Sequence, residues 1–187
     1  MTALYVIGAC WIALATYWAV TARSAKASAQ RQDPVGRALH VATLAVAMAL
    51  LIGPWRPYPL NLRVVPHGPA VDIVGAALCL AGLVGAVWAR RTLGDNWSAA
   101  VTLKHGHELI VRGPYNYVRH PIYTGILLMV LGTAIAIGRL HAWIGLLVCV
   151  VGFWVKLRQE EALMTRQFPD AYPPYRRRVK ALVPFVF

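Results

Sequence analysis

Five long apolar runs, at residues 3–22, 38–55, 73–89, 122–138 and 140–155, interrupt this 187-residue chain and leave a lipid bilayer as the medium it fits. At about 1.5 Å of rise per residue, a run of ~17–20 residues covers ~26–30 Å of helix, close to one hydrocarbon core. The fold class this implies is an all-α integral membrane protein with about five transmembrane helices. Only Arg139 and its neighbours separate the last two runs, so these form a tight helical hairpin. The fifth run is the shortest, and the hairpin is expected to stop short of the far surface. Charged residues make up 14% of the chain, against about a quarter in a soluble domain. The first run lacks a basic flank, since Met1-Thr2-Ala3 carries no cation, and no cleavage site leads into a soluble domain. It reads as a retained helix.

The formal net charge of +12 raises nucleic acid as a partner. The basic residues, however, sit between apolar runs and form no stripe on a soluble surface. Anionic lipid headgroups beside cytoplasmic loops account for the charge instead. With the N-terminus outside, Arg56, Arg63 and Arg139 fall outside and the other sixteen of the nineteen Lys and Arg fall inside. That bias orients the chain, with its C-terminus cytoplasmic. The compact size and the absence of an organelle signal point to a prokaryotic inner membrane. The length suits one domain, 1–187, with a three-helix membrane region at 1–89 and a polar, motif-bearing region at 90–187. No obligatory protein partner is evident.

Cys10, Cys79 and Cys149 each lie inside an apolar run, far apart in sequence, which argues against a disulfide framework or a zinc site and for small buried fillers. Gly75, Gly82, Gly85, Ala86, Gly132 and Ala136 are small enough to let helix backbones approach closely. Prolines at 54, 57, 59, 66 and 69 end the second run and stiffen the loop after it.

Two polar stretches remain, 90–123 and 156–184, and both fall on the cytoplasmic side. The first interleaves His105, His107 and His120 with Tyr115, Tyr117 and Tyr123, around a turn at Gly113-Pro114. Pro121 belongs in the first turn of the fourth helix, where a proline is tolerated. His120 then stands at that helix N-terminus, whose unpaired N–H groups favour an anionic partner. Two readings stay open for His120 and Tyr123: an interfacial helix cap, or part of a site. Tyr117 reads as an aromatic belt residue. Two histidines two apart, with no cysteine or carboxylate cluster to complete them, do not make a metal site. In the second stretch, a fifth helix continued inward puts Lys156 and Glu160 at i and i+4, and Arg158 and Glu161 at i and i+3. The two adjacent glutamates point about 100° apart. One can therefore face a pocket while the other, Glu161, reads as a solvated, ion-paired exit from the membrane. The Arg176-Arg177-Arg178 run reads as a face for anionic lipid headgroups.

The string from Leu109 to Gly125, Leu-Ile-Val-Arg-Gly-Pro-Tyr-Asn-Tyr-Val-Arg-His-Pro-Ile-Tyr-Thr-Gly, resembles the cofactor-binding motif of the isoprenylcysteine carboxyl methyltransferase family, which is related to the phospholipid methyltransferases. Glu160-Glu161, Phe168, Tyr172, Tyr175, Val179 and Pro184 follow at that family's spacing. The resemblance runs from residue 93 to the C-terminus, roughly half the chain. It implies a membrane methyltransferase using S-adenosyl-L-methionine in a cytoplasmic pocket, with 90–187 as the cofactor-binding catalytic region. Carried over, it implies that His107, Glu108, Leu109, Ile110, Tyr115, His120, Pro121, Ile122 and Tyr123 line the cofactor cleft. Glu160 would hold a polar group of the cofactor, and Asn96 and Trp97 would close the cleft. The acceptor would be lipophilic and enter from the bilayer, with Lys156 or Arg158 steering an anionic one. Lys156 stands where the eukaryotic enzymes carry an arginine that contacts substrate, and lysine lacks the bidentate fork. Pro169 stands where the family commonly has glycine. Other readings are a phospholipid or thiol methyltransferase of the same superfamily, a nicotinamide-dependent membrane reductase, and a non-enzymatic membrane protein.

Overall fold

A computed structural model describes residues 2–21, 34–53, 57–94 and 109–184. The expected cleft residues Asn96, Trp97, His107 and Glu108 lie outside these. Among the described residues the chain is helical, with two isolated bridges and no strands. The helices are α1 (Thr2–Thr21), α2 (Pro34–Ile52), α3 (Pro69–Leu93), α4 (Pro121–Ile137), α5 (Leu140–Gln167) and α6 (Tyr172–Arg178), with a 3-10 turn at Gly113–Asn116. Three of them, α1, α3 and α5, are long and apolar enough to cross a membrane; Gly36–Ile52 and Pro121–Ile137 are shorter apolar helices.

Chain punctuation sets these limits. Pro69 and Pro121 sit in the first turns of α3 and α4, where a missing N–H costs nothing. Gly138 ends α4 in the left-handed region at φ 64°, its N–H bonded to the Ala134 carbonyl. Arg139 turns the chain into α5, which completes the expected hairpin. The proline-bearing loop lies over this turn. Leu140 N–H reaches the Leu62 carbonyl at 2.8 Å, Val64 N–H reaches the Gly138 carbonyl at 2.8 Å, and Arg139 donates to Asn61.

The fifth helix continues inward past its apolar run, which sets Lys156 and Glu160 at i and i+4 on one helix. It runs 28 residues to Gln167, about 42 Å, and so outlasts a hydrocarbon core of about 30 Å. The part of it beyond residue 155 carries Lys156, Arg158, Glu160 and Glu161. Hydropathy marks where lipid contact ends, whereas Lys, Leu, Arg, Gln and Glu are all good helix formers and continue the helix.

Two glycine seams hold the bundle. In the antiparallel α3–α4 pair, a Cβ at Gly75 would stand 2.7 Å from the Gly132 carbonyl oxygen, and one at Gly125 would stand 2.6 Å from the Gly82 carbonyl. The seam needs glycine for close approach, as small residues at helix interfaces allow. Gly85, expected to join it, meets nothing within 4 Å, because it faces away from α4. In the second seam, Gly145 packs on Ala47 and Leu51 of α2, and Gly152 on Thr43. Ile7, Cys10 and Leu14 of α1 join Cys79, Ala86 and Met129 in one core; Ala47, Leu51, Val130, Cys149 and Phe153 form another. All three cysteines are buried and free, as fillers should be. Gly82→Ala places a methyl 2.8 Å from the Met129 backbone nitrogen. It is expected to cost about 1–3 kcal/mol, read as a lower melting temperature in detergent; an unchanged melt would mean the seam is slack.

Candidate active site

The two polar stretches come together where α4 begins and α5 ends. Arg119 and His120 N–H groups bond the Lys180 and Ala181 carbonyls at 2.8 and 3.0 Å, beside a parallel bridge between Val118 and Lys180. Thr124 Oγ1 donates to the Leu182 carbonyl at 2.8 Å. Tyr175 Oη–H donates to the Tyr115 carbonyl at 2.7 Å. Burial pushes the Tyr175 phenol up to about 12, so that donor keeps its proton. The C-terminal segment is thereby fastened along the motif that precedes α4.

His120 stands at the N-cap of α4 and Glu160 on the facing turn of α5. Tyr123 Oη–H donates to Glu160 Oε1. The His120 and Tyr123 rings stack with centroids 5.5 Å apart and planes within 1°. His120 Nδ1 lies 3.6 Å from Glu160 Oε2, and its Nε2 lies 3.4 Å from Glu161 Oε1. At these lengths the contact is charge attraction more than a formed hydrogen bond, and Nε2 is a buried atom with no hydrogen-bond partner. Burial pulls the imidazole pKa down, but the Glu160 and Glu161 carboxylates outweigh it and hold it above its ordinary value. Lys156 Nζ sits over the Tyr123 ring, 5.7 Å from its centroid.

Glu161 corrects the expectation of a solvated exit. Its side chain is 5% exposed, against 23% for Glu160. Arg119 Nε donates to Glu161 Oε1 at 2.7 Å and Nη2 bonds the same oxygen. Arg176 Nε lies 3.2 Å from Oε2. Arg119 Nη1 also donates to the carbonyls of Arg176, at 3.0 Å, and Val179. Glu161 is therefore the buried anchor of the C-terminal segment, and Glu160 is the more accessible carboxylate of the pair.

The other expected site residues distribute around this centre. Pro121 is buried, and Ile122 is half-buried in the first turn of α4. Tyr115 is buried behind the cluster, in the 3-10 turn. Leu109 packs with Val111 against Tyr172, Tyr175 and Val179, and Ile110 is half-buried. Leu109, Val111, Ala171, Pro174, Tyr175 and Arg178 line a hollow of about 510 Å³. Arg158 does not join the centre; it is exposed and lies over the Trp154 ring at 4.7 Å. Tyr117 is exposed. Among the described residues no group of three or more His, Cys, Asp or Glu could hold a metal ion.

His40, on α2, was not singled out by sequence, yet its ring meets Phe153 edge-on at 6.0 Å, and Phe153 meets Tyr123 at 4.7 Å. A lone histidine in an apolar helix gives no spacing signal.

The sequence pattern of the phospholipid methyltransferases matches residues 71–171, more than half of the chain. The chain belongs to the phospholipid methyltransferase family. The matched span takes in all but the first two residues of α3, all of α4 and α5, and the whole His120–Tyr123–Glu160 cluster of this methyltransferase-family chain. A protein-S-isoprenylcysteine O-methyltransferase of Schizosaccharomyces pombe is 33% identical over 96 residues, 50% of this chain and 41% of the relative. A nickel-cobalt-cadmium resistance protein of Alcaligenes xylosoxydans xylosoxydans is 31% identical over 113 residues, 59% of this chain and 52% of the relative. The chain thus spans about half the length of these curated relatives. Among solved structures, a eukaryotic intramembrane Ras methyltransferase, isoprenylcysteine carboxyl methyltransferase, shares the fold. Its TM-score is 0.57 at 22% identity, over 81% of this chain and 52% of that one.

Proposed function

We propose that this family member is an S-adenosyl-L-methionine-dependent methyltransferase acting on a lipophilic acceptor at the cytoplasmic face of a prokaryotic inner membrane. The observation that carries the reading is the Glu160–Tyr123–His120 cluster at the start of α4, within a chain of the phospholipid methyltransferase family. The residues suit the methionyl end of such a donor. Glu160 offers a carboxylate to an ammonium. The first N–H groups of α4 offer donors to a carboxylate, and His120, held between Glu160 and Glu161, fixes the wall beside them. The bound donor supplies an activated methyl sulfonium, so the protein has no bond to activate. Glu160 holds one partner in place, Tyr123 and His120 fix Glu160, and the alignment that results supplies much of the rate.

On this reading all five apolar helices span the bilayer, with the N-terminus outside and the C-terminus cytoplasmic. The chain is one domain, 1–187: the 1–89 helices border the acceptor, and 90–187 holds the donor. Leu109, Ile110, Tyr115, Pro121 and Ile122 line the donor cleft together with His107 and Glu108. Arg176-Arg177-Arg178, exposed on α6, faces anionic lipids. Lys156, beside Tyr123, steers the acceptor in preference to Arg158.

Calorimetry on the detergent-purified chain tests this. S-adenosylmethionine and S-adenosylhomocysteine are expected to bind at micromolar affinity, about −8 kcal/mol. Folded protein that binds neither would overturn the proposal.

A further inference from the structure

At the far end of α4 from the Glu160 centre, the loop at residues 57–68 lies over the α4–α5 turn. Val64 N–H reaches the Gly138 carbonyl and Leu140 N–H the Leu62 carbonyl, both at 2.8 Å, and these two bonds frame an antiparallel bridge between Arg63 and Arg139. Residues opposed in this way are the closer kind of pair, with Cα atoms about 4.5 Å apart and side chains on one face. Like charges placed directly opposite each other are destabilising. Of the seven Asp and Glu, Asp72 alone belongs to this side of the five-span topology, and it lies beside His67, at 3.5 Å.

The two arginines bond backbone and amide oxygens instead of carboxylates. Arg139 Nη1 donates to Asn61, to its carbonyl at 3.0 Å and to its Oδ1. Arg63 Nη1 makes one long contact, 3.4 Å, to the Val65 carbonyl. A Cβ at Gly138 would stand 3.1 Å from that same Nη1, so the Arg63 guanidinium lies on the turn itself. A guanidinium carries five N–H donors, and among the described residues Nε and Nη2 of both arginines have no partner. The surroundings are those of a membrane interface. Tyr58, Leu62 and Val64 are exposed beside Arg63, and aromatic and aliphatic side chains next to cations are the composition of that layer. Depth agrees. The 17 residues of α4 rise about 25 Å, less than a hydrocarbon core of about 30 Å, so the turn reaches the edge of the hydrocarbon without clearing it. A cation at that depth calls for a partner of opposite charge.

We propose that Arg63 and Arg139 form a binding site for the phosphodiester of an anionic phospholipid, in the leaflet away from the donor centre. The phosphate oxygens take the N–H groups that the loop leaves open, as charge-assisted hydrogen bonds, and their charge offsets the repulsion within the arginine pair. Tyr58, Leu62 and Val64 lie against the upper acyl chains of the same lipid. The lipid thereby pins the 57–68 loop onto the hairpin turn, because Arg63 belongs to the loop and Arg139 to the turn. The inference rests on the five-span topology and not on the chemistry assigned to Glu160 and His120, whose failure the donor calorimetry reads separately.

The test uses the full chain in phosphatidylcholine nanodiscs doped with a photoactivatable lipid, either phosphatidylglycerol or phosphatidylcholine with the same diazirine-bearing acyl chain. After irradiation, adducts are mapped by mass spectrometry. In the wild type, residues 57–68 and 139–143 are expected to take more label from phosphatidylglycerol than from phosphatidylcholine, by about tenfold, as suits two cations near an anionic headgroup. The double variant Arg63→Gln, Arg139→Gln is expected to label equally with both lipids, since the loop stays at the membrane and loses only its choice of charge. Arg63→Gln alone, at an exposed side chain, is expected to lose part of the preference and gives the reading should the double variant not fold. Equal labelling in the wild type, a preference that survives the double variant, or its loss to added inorganic phosphate, which would make the ligand a free anion, overturns the site. Labelling of this segment by neither lipid overturns it too, by taking the loop out of the membrane.

Discussion

Glu160→Gln is expected to weaken S-adenosylmethionine binding by about a hundredfold, while leaving the fold intact. The change keeps shape and keeps an oxygen for the Tyr123 hydroxyl, which donates to Glu160 Oε1. It removes the charge. On the proposed assignment the lost partner is an ammonium in a site where solvent is largely excluded. Removing one member of a desolvated, hydrogen-bonded charge pair costs roughly 2–5 kcal/mol, and each ~1.4 kcal/mol is a factor of ten. The measurement is calorimetric titration of wild type and variant, each checked by its thermal melt. Equal affinities in two equally stable proteins would place the donor's ammonium elsewhere. A collapse of the melt would mean that Glu160 serves folding rather than binding. Its neighbour already fills the structural role, since Glu161 is the buried carboxylate with two arginine partners.

The division between two adjacent glutamates shows where sequence reading succeeds and where it stops. That the pair would split between two surroundings follows from their ~100° separation on a helix. Which glutamate is buried does not, because the deciding partners are remote: Arg119 precedes Glu161 by 42 positions, and Arg176 lies on another helix. The helix limits were legible because proline and glycine act locally, as at Pro121 and Gly138. So was the close approach at Gly75, Gly82 and Gly132, though only the register distinguishes these from Gly85. The end of α5 was not, because loss of hydropathy at residue 156 marks the edge of the lipid and not the end of the helix. The pairing of His120, Tyr123 and Glu160 became legible only through a resemblance covering two separated stretches. His40 carries no local pattern and meets Phe153 through packing alone.

Arg119→Ala is expected to destabilise the protein by about 3–5 kcal/mol, the range for breaking a buried pair from one side. Arg119 bonds Glu161 through Nε and Nη2, and through Nη1 it holds the carbonyls of Arg176 and Val179. Its removal strands a carboxylate that is 5% exposed and frees two carbonyls at the end of α6. Arg176 is half-exposed, at 49%, and its attraction for Glu161 is correspondingly screened by water. Residues 172–184 should then loosen first, since Tyr175 and Lys180 dock onto the same pre-α4 segment that Arg119 secures. The expected readout is a lowered melt together with faster proteolysis after the 176–178 arginines. The double variant Arg119→Met, Glu161→Met separates a charge penalty from lost packing. Replacing both members of a buried pair by apolar groups is often close to neutral, so the double variant should recover part of the single variant's loss. A single variant costing under ~1 kcal/mol, the range of an exposed pair, would show that this end of α5 is wetter than the geometry describes. The donor site would then lose its fixed wall, because His120 is held between the same two glutamates.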